Sequence, residues 1–193
     1  MAAIQPGSFI RNPNLNVLID SERLQARVRE MGAEITRDYA GKNLHLLAVL
    51  KGACVFLSDL MREIDLPLSL DFIGISSYGA STKSSGEVRI TKDLDKSLAG
   101  KDVLVVEDII DTGLTLNYLI NIFLTREVNS LAVAALLDKP DRHETEVDAK
   151  YIGFEIPNHF VVGYGLDVGE RYRNLPFIAV PQDPEGLLGE VTA

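Results

Sequence analysis

The run Val103-Leu104-Val105-Val106-Glu107-Asp108-Ile109-Ile110-Asp111-Thr112-Gly113-Leu114-Thr115 constrains this chain more than any other stretch. Four apolar residues, mostly β-branched, lead without a polar break into an acidic pair, the pattern of a strand buried on both faces of a parallel sheet. The expected class is therefore α/β, a mostly parallel central sheet flanked by helices. Three carboxylates fall at or just beyond the carboxyl end of this strand. Ligands of open α/β sheets bind at that end, so Asp108 and Asp111 stand where chemistry is usually done.

The next residues open a helical pattern on Leu116, Leu119, Ile120 and Phe123. Main-chain N–H groups at the helix start would point into a turn freed by Gly113, and such a turn suits a phosphate. Thr112 and Thr115 add hydroxyl donors. Glu107 and Asp108, acceptors when ionised, suit the two hydroxyls of a ribose or a hydrated metal ion. Structural capping and a solvated loop are the alternative reading of the same residues.

Taken as one run, Glu107 to Gly113 resembles the ribose-phosphate signature of the type I phosphoribosyltransferases, and its Ile-Ile-Asp version is similar to the hypoxanthine-guanine branch. The resemblance continues in ordered blocks from about Leu50 to Arg173. It implies one domain over residues 1–193, with a small hood lobe formed by the N-terminal arm and the segment from about 150 to the C-terminus. It also implies Mg²⁺-dependent transfer of a phosphoribosyl group from 5-phosphoribosyl-1-pyrophosphate to a 6-oxopurine.

Residue by residue, the resemblance places the ribose phosphate at Glu107, Asp108, Asp111, Thr112, Gly113, Leu114 and Thr115, with Asp111 accepting a proton from the purine. Leu50-Lys51-Gly52-Ala53 resembles the family's pyrophosphate loop, in which the bond before the lysine can be cis. Ala53 departs from the double glycine of some members. Without the resemblance, Lys51 and Gly52 are a point charge and a turn ahead of a helix, a weak anion site. Ser77-Tyr78-Gly79 resembles the start of an active-site lid, although residues 78–86 by composition are a plain surface hairpin. Lys139, a strand-end lysine that would ordinarily be solvated, matches the donor to the purine 6-oxo group. The run from Phe160 to Asp167 is similar to the purine segment, with Phe160 stacking on the base and the Val161 main chain reading its edge. Asp167 then joins Glu107 and Asp108 as a metal ligand. Arg173 matches a pyrophosphate contact suited to its planar fork.

The rest of the chain supports a scaffold for that end. Asp20 is a plausible helix cap ahead of Leu24, Val28, Met31 and Ile35, and Gly41 ends that run. Residues 44–50, 68–77, 87–91, 131–137 and 178–180 read as strands. Residues 151–154 and 160–162 read as short strands of the second lobe. Cys54 reads as packing inside an apolar helix, His45 as a structural histidine and His143 as surface. Residues 1–19 read as an arm, and the tail as poorly ordered.

Composition narrows the partners. A formal charge of -9 repels nucleic acid and anionic lipid. The same charge hinders anionic substrates, a reason to expect Mg²⁺ as mediator. A single cysteine precludes an intrachain disulfide, and no apolar run is long enough to cross a bilayer. The first residues also lack a signal peptide's pattern, so a cytoplasmic protein is expected. The arm and the resemblance suggest a homodimer or homotetramer. Two rivals are weighed. A nucleotide- and RNA-binding regulator on the same fold would need a basic face. A phosphoryl-accepting receiver would leave the run from Phe160 to Asp167 unexplained.

Overall fold

The computed structural model describes residues 10, 12–77, 88–184 and 187. Chain order runs β1 (Leu15–Ile19), α1 (Ser21–Asp38), β2 (Leu44–Leu50), α2 (Cys54–Glu63), β3 (Ser69–Ser77), β4 (Val88–Lys92), β5 (Asp102–Ile110), α3 (Leu114–Leu124), β6 (Ser130–Asp138), β7 (Tyr151–Glu155) and β8 (Ile178–Pro181). A single 3₁₀ turn, Pro140–Arg142, follows β6.

Six strands form the main sheet in the order β4-β3-β2-β5-β6-β7. Only the β3–β4 pairing is antiparallel. Alternation along the strands sorts the core. Leu44, Leu46 and Ala48 of β2 and Leu104 and Val106 of β5 face α1 and α2, where Leu24, Val28, Met31, Ile35, Phe56 and Leu60 pack on them. Leu47, Val49, Val103 and Val105 face the other way, onto Leu116, Leu119 and Phe123 of α3. Both faces are thereby dry, which is why β2 and β5 carry uninterrupted apolar runs. The α1 helix begins as its cap predicts, with the Asp20 carboxylate accepting the Arg23 N–H at 2.8 Å.

Several expectations need correction. Residues 151–154 are not part of a second lobe: β7 pairs in parallel with β6 and closes the edge of the main sheet. Residues 160–162 form no strand, since Val162 makes only an isolated bridge to Ala179. The arm contains a strand, because β1 pairs antiparallel with β8 in a separate two-stranded sheet. That sheet sits with a small apolar cluster of Leu15, Val162, Val168, Tyr172 and Leu175. Cys54 is exposed rather than packed. Tyr78, the rest of the expected lid, residues 1–9 and most of the tail lie outside the described residues. Among the described residues, no helix is long and apolar enough to cross a membrane.

Candidate active site

The chain leaves β2 towards β3 on one side and leaves β5 towards β6 on the other. The carboxyl ends of these neighbours therefore mark a topological switch point, the place where connections diverge and leave a crevice. A cavity of about 470 Å³ lies there, lined by Lys51, Gly52, Asp111, Thr112, Gly113 and Thr115, with Glu107, Asp108, Asp167 and Arg173 also on its wall.

Glu107 and Asp108, expected at or just beyond the strand's end, lie inside it, because β5 continues to Ile110. Backbone pairing with β6 holds them where loop residues would be free. Burial drives the Glu107 carboxyl well above its ordinary pKa, and the neighbouring charge of Asp108 adds to this. Its Oε2 is one of the buried polar atoms without a hydrogen-bond partner among the described residues. Burial likewise raises Asp108 to about 6, against the Ile109 N–H that donates to its Oδ1 at 3.0 Å. Two adjacent half-buried acids, one with an unpartnered oxygen, are poised for hydroxyl groups or a cation.

Lys51-Gly52 approaches from β2, and the Leu50–Lys51 peptide is cis. Gly52 lets the two segments close up, since a Cβ there would overlap the Asp108 carboxylate and force it to turn away. The Lys51 ammonium reaches Glu170 Oε2 at 2.7 Å. Gly165 packs its Cα against the Gly52 carbonyl so closely that a side chain would collide with it. This contact brings the segment carrying Asp167 and Arg173 onto the loop. The Arg173 guanidinium donates to Gly165 O at 2.8 Å and pairs with Asp167 Oδ1 at 2.8 Å.

At the carboxyl end of β5, Gly113 caps α3 with φ of 79°, a left-handed conformation that favours glycine. Leu114 is the first residue of that helix, so the free N–H groups of its first turn face the cavity end. Thr112 Oγ1 accepts weakly from Leu114 N at 3.4 Å. Asp111 is held by two cations, with Arg142 Nε at 2.9 Å from Oδ1 and Lys139 Nζ at 3.5 Å from Oδ2. Lys139 is buried, contrary to the ordinary solvated reading, and its N–H donates to Ile110 O at 3.0 Å. His143 is not free surface either, because its Nε2 bonds the buried Asp138 Oδ1 at 2.7 Å.

The structure thus brings together Lys51, Gly52, the residues from Glu107 to Gly113, Thr115, Asp167 and Arg173; Leu114 and Lys139 do not line the cavity, although Lys139 stands beside Asp111. Phe160 and Val161 do not line the main cavity. Phe160 is 48% exposed, not core, and Val161 is buried. Ser77 is the last residue of β3. Sequence reasoning missed Arg142, Glu170 and Gly165, whose partners lie far along the chain. Among the described residues no cluster of three or more potential metal ligands is preformed. Asp108 and Asp167 nonetheless offer hard carboxylate oxygens on one cavity wall, as suits a Mg²⁺ ion that keeps water and substrate oxygens as its remaining ligands.

The family model for the phosphoribosyl transferase domain matches residues 17–168. The chain is 52% identical over 164 residues to the hypoxanthine-guanine phosphoribosyltransferase of Bacillus subtilis, covering 85% of this chain and 91% of that one. It is 50% identical over 171 residues to the bifunctional protein TilS/HprT of Listeria monocytogenes, of which it spans only 26%. Among solved structures, a hypoxanthine phosphoribosyltransferase from Staphylococcus aureus superposes with a TM-score of 0.88 at 48% identity, covering 94% of this chain and 98% of the other.

Proposed function

This chain belongs to the phosphoribosyl transferase family, and from that premise we propose that it is a purine-salvage enzyme. It transfers the 5-phosphoribosyl group of 5-phosphoribosyl-1-pyrophosphate to hypoxanthine or guanine, giving IMP or GMP and pyrophosphate. One observation carries this reading furthest. Lys139, a donor without acceptor capacity, stands 3.5 Å from Asp111, an acceptor that lines the cavity together with Gly113 and Thr115 at the start of α3. The 6-oxo oxygen and N7 of such a purine are neighbours on one edge and call for that pair.

The 5-phosphate then rests on Thr112, Gly113, Leu114 and Thr115, and the ribose hydroxyls meet Glu107 and Asp108. Pyrophosphate lies between Lys51, the Gly52 N–H and Arg173. Phe160 stacks on the base and the Val161 main chain reads its far edge. Ser77 and Tyr78 begin the lid that keeps water from the activated sugar. The N9 lone pair of the base forms the new bond to the anomeric carbon. The bond from that carbon to the pyrophosphate oxygen breaks, and its electron pair leaves with pyrophosphate. The N7 proton passes to Asp111. A bound Mg²⁺, held by Asp167 and Asp108 with Glu107 nearby, would neutralise pyrophosphate charge.

A homodimer or homotetramer working in the cytoplasm completes the proposal, and the exposed apolar Val17 and Leu124 are candidates for subunit contact. Incubation with Mg²⁺, the sugar pyrophosphate and each nucleobase in turn tests the activity directly. Nucleotide should form with hypoxanthine or guanine, and failure with both overturns the reading.

A further inference from the structure

We propose that Arg142 is a positioning residue for Asp111: it fixes the orientation of that carboxylate, leaving the oxygen beside Lys139 for the purine. The inference rests on the reading of Asp111 as proton acceptor. Asp111 stands in a turn and is 44% exposed on its side chain, so nothing in its own strand holds its carboxylate plane. Arg142 Nε takes Oδ1 at 2.9 Å, while Oδ2 is turned to Lys139 at a looser 3.5 Å. A carboxylate has about four acceptor positions. One strong contact on Oδ1 therefore orients the group without consuming Oδ2.

The segment bearing Arg142 is tied to the phosphate turn at several independent points. Glu144 N–H donates to Thr112 O at 2.9 Å, and Asn117 Nδ2 donates to Thr145 Oγ1 at 3.3 Å. A Cβ on Gly113 would lie 2.7 Å from Val147 Cγ2, so the Val147 side chain packs directly over the glycine. Lys139 N–H is anchored on Ile110 O. One brace therefore joins the turn that holds the phosphate, the proton acceptor and the donor to the 6-oxo group. An ion pair this exposed adds little to folding stability. Placement of a reacting group matters far more, since an error of about 1 Å can cost on the order of a hundredfold in rate.

The test compares Arg142→Ala, Arg142→Lys, Asp111→Asn and the Arg142→Ala/Asp111→Asn double variant. Each is measured for its single-turnover rate of nucleotide formation at saturating substrates and for KM of the sugar pyrophosphate. Arg142→Ala should slow turnover by about tenfold with KM within about twofold, a signature of lost orientation rather than lost binding. Arg142→Lys, or free guanidinium added to Arg142→Ala, should recover part of the rate. In the Asp111→Asn background the Arg142→Ala loss should disappear, because there is no acceptor left to orient. An equal loss in that background, or a raised KM with unchanged rate, overturns the inference. So does full activity of Arg142→Ala while Asp111→Asn is impaired. If Asp111→Asn itself keeps the full rate, the underlying reading of Asp111 fails instead.

Discussion

Asp102 and Glu107 stand on the same strand, β5, yet the fold treats them in opposite ways. Asp102, at the amino end, accepts from Ser130 Oγ at 2.7 Å, from Asn129 Nδ2 and from Asn43 N–H at 3.1 Å. Those donors, Ser130 foremost, hold its carboxyl below the ordinary range. Glu107, nearer the carboxyl end, is half-buried beside Asp108, pushed well above its range by desolvation and left with an unpartnered oxygen. The same chemical group is thus a joint of the scaffold at one end and an unmet demand at the other. Acids that the protein satisfies itself support stability, whereas acids it leaves short of donors wait for a ligand.

Substitutions at the two ends should therefore separate cleanly into effects on rate and effects on stability. The largest effect is expected at Asp111→Asn, which should slow turnover by about 10²–10⁴-fold with little change in unfolding midpoint, checked by steady-state kinetics and urea denaturation. A variant of normal rate would break the comparison at its active end. Lys139→Gln should reduce use of hypoxanthine and guanine by about tenfold to a hundredfold while leaving sugar-pyrophosphate binding nearly unchanged. Equal losses on both substrates would make the lysine a structural post.

At the other end, Asp102→Ala should leave the buried partners unpaired and cost about 1–3 kcal/mol, read from urea unfolding, with turnover unaltered. A loss of activity without a loss of stability there would reverse the assignment of the two ends. The smallest effect, visible only in acid, concerns His45 on β2, whose Nδ1 meets Ser69 Oγ at 2.8 Å. Burial, with Lys101 nearby, lowers its pKa to about 4 from 6.5. Such a group takes up its proton mainly in the unfolded chain. The stability it contributes is full above pH 6.5 and lost as pH falls towards 4. Wild type should lose ground to His45→Gln over that window in a series of melting temperatures. Parallel pH curves would show that the ring is charged equally in both states.

How much was legible depended on the distance over which each feature is decided. The apolar run at Leu44–Leu50 gave β2 to the residue, and Asp20 gave the start of α1, because burial and capping act within a few neighbours. The acids and the phosphate turn were legible as types in order. Their environment was not, since β5 runs on past them only because β6 supplies partners to Ile110. Tyr151-Ile152-Gly153-Phe154 looked like a separate lobe, yet it docks on β6, a choice its own sequence does not encode. Cys54 fitted an apolar helix pattern and still faces outward, because periodicity does not say where a helix's first turn meets solvent.

By itself, the order of residues determined the α/β class, the acidic run with its glycine turn, and the family that this run resembles. Each of these depends on chemistry between near neighbours along the chain. Only the folded molecule decided that Gly52 lies against Asp108, that Arg142 grips Asp111 and that Lys139 is buried beside it. Those pairs are set by the lateral order of strands and the turns that leave their ends, which bring residues remote in the chain within a few ångströms of one another.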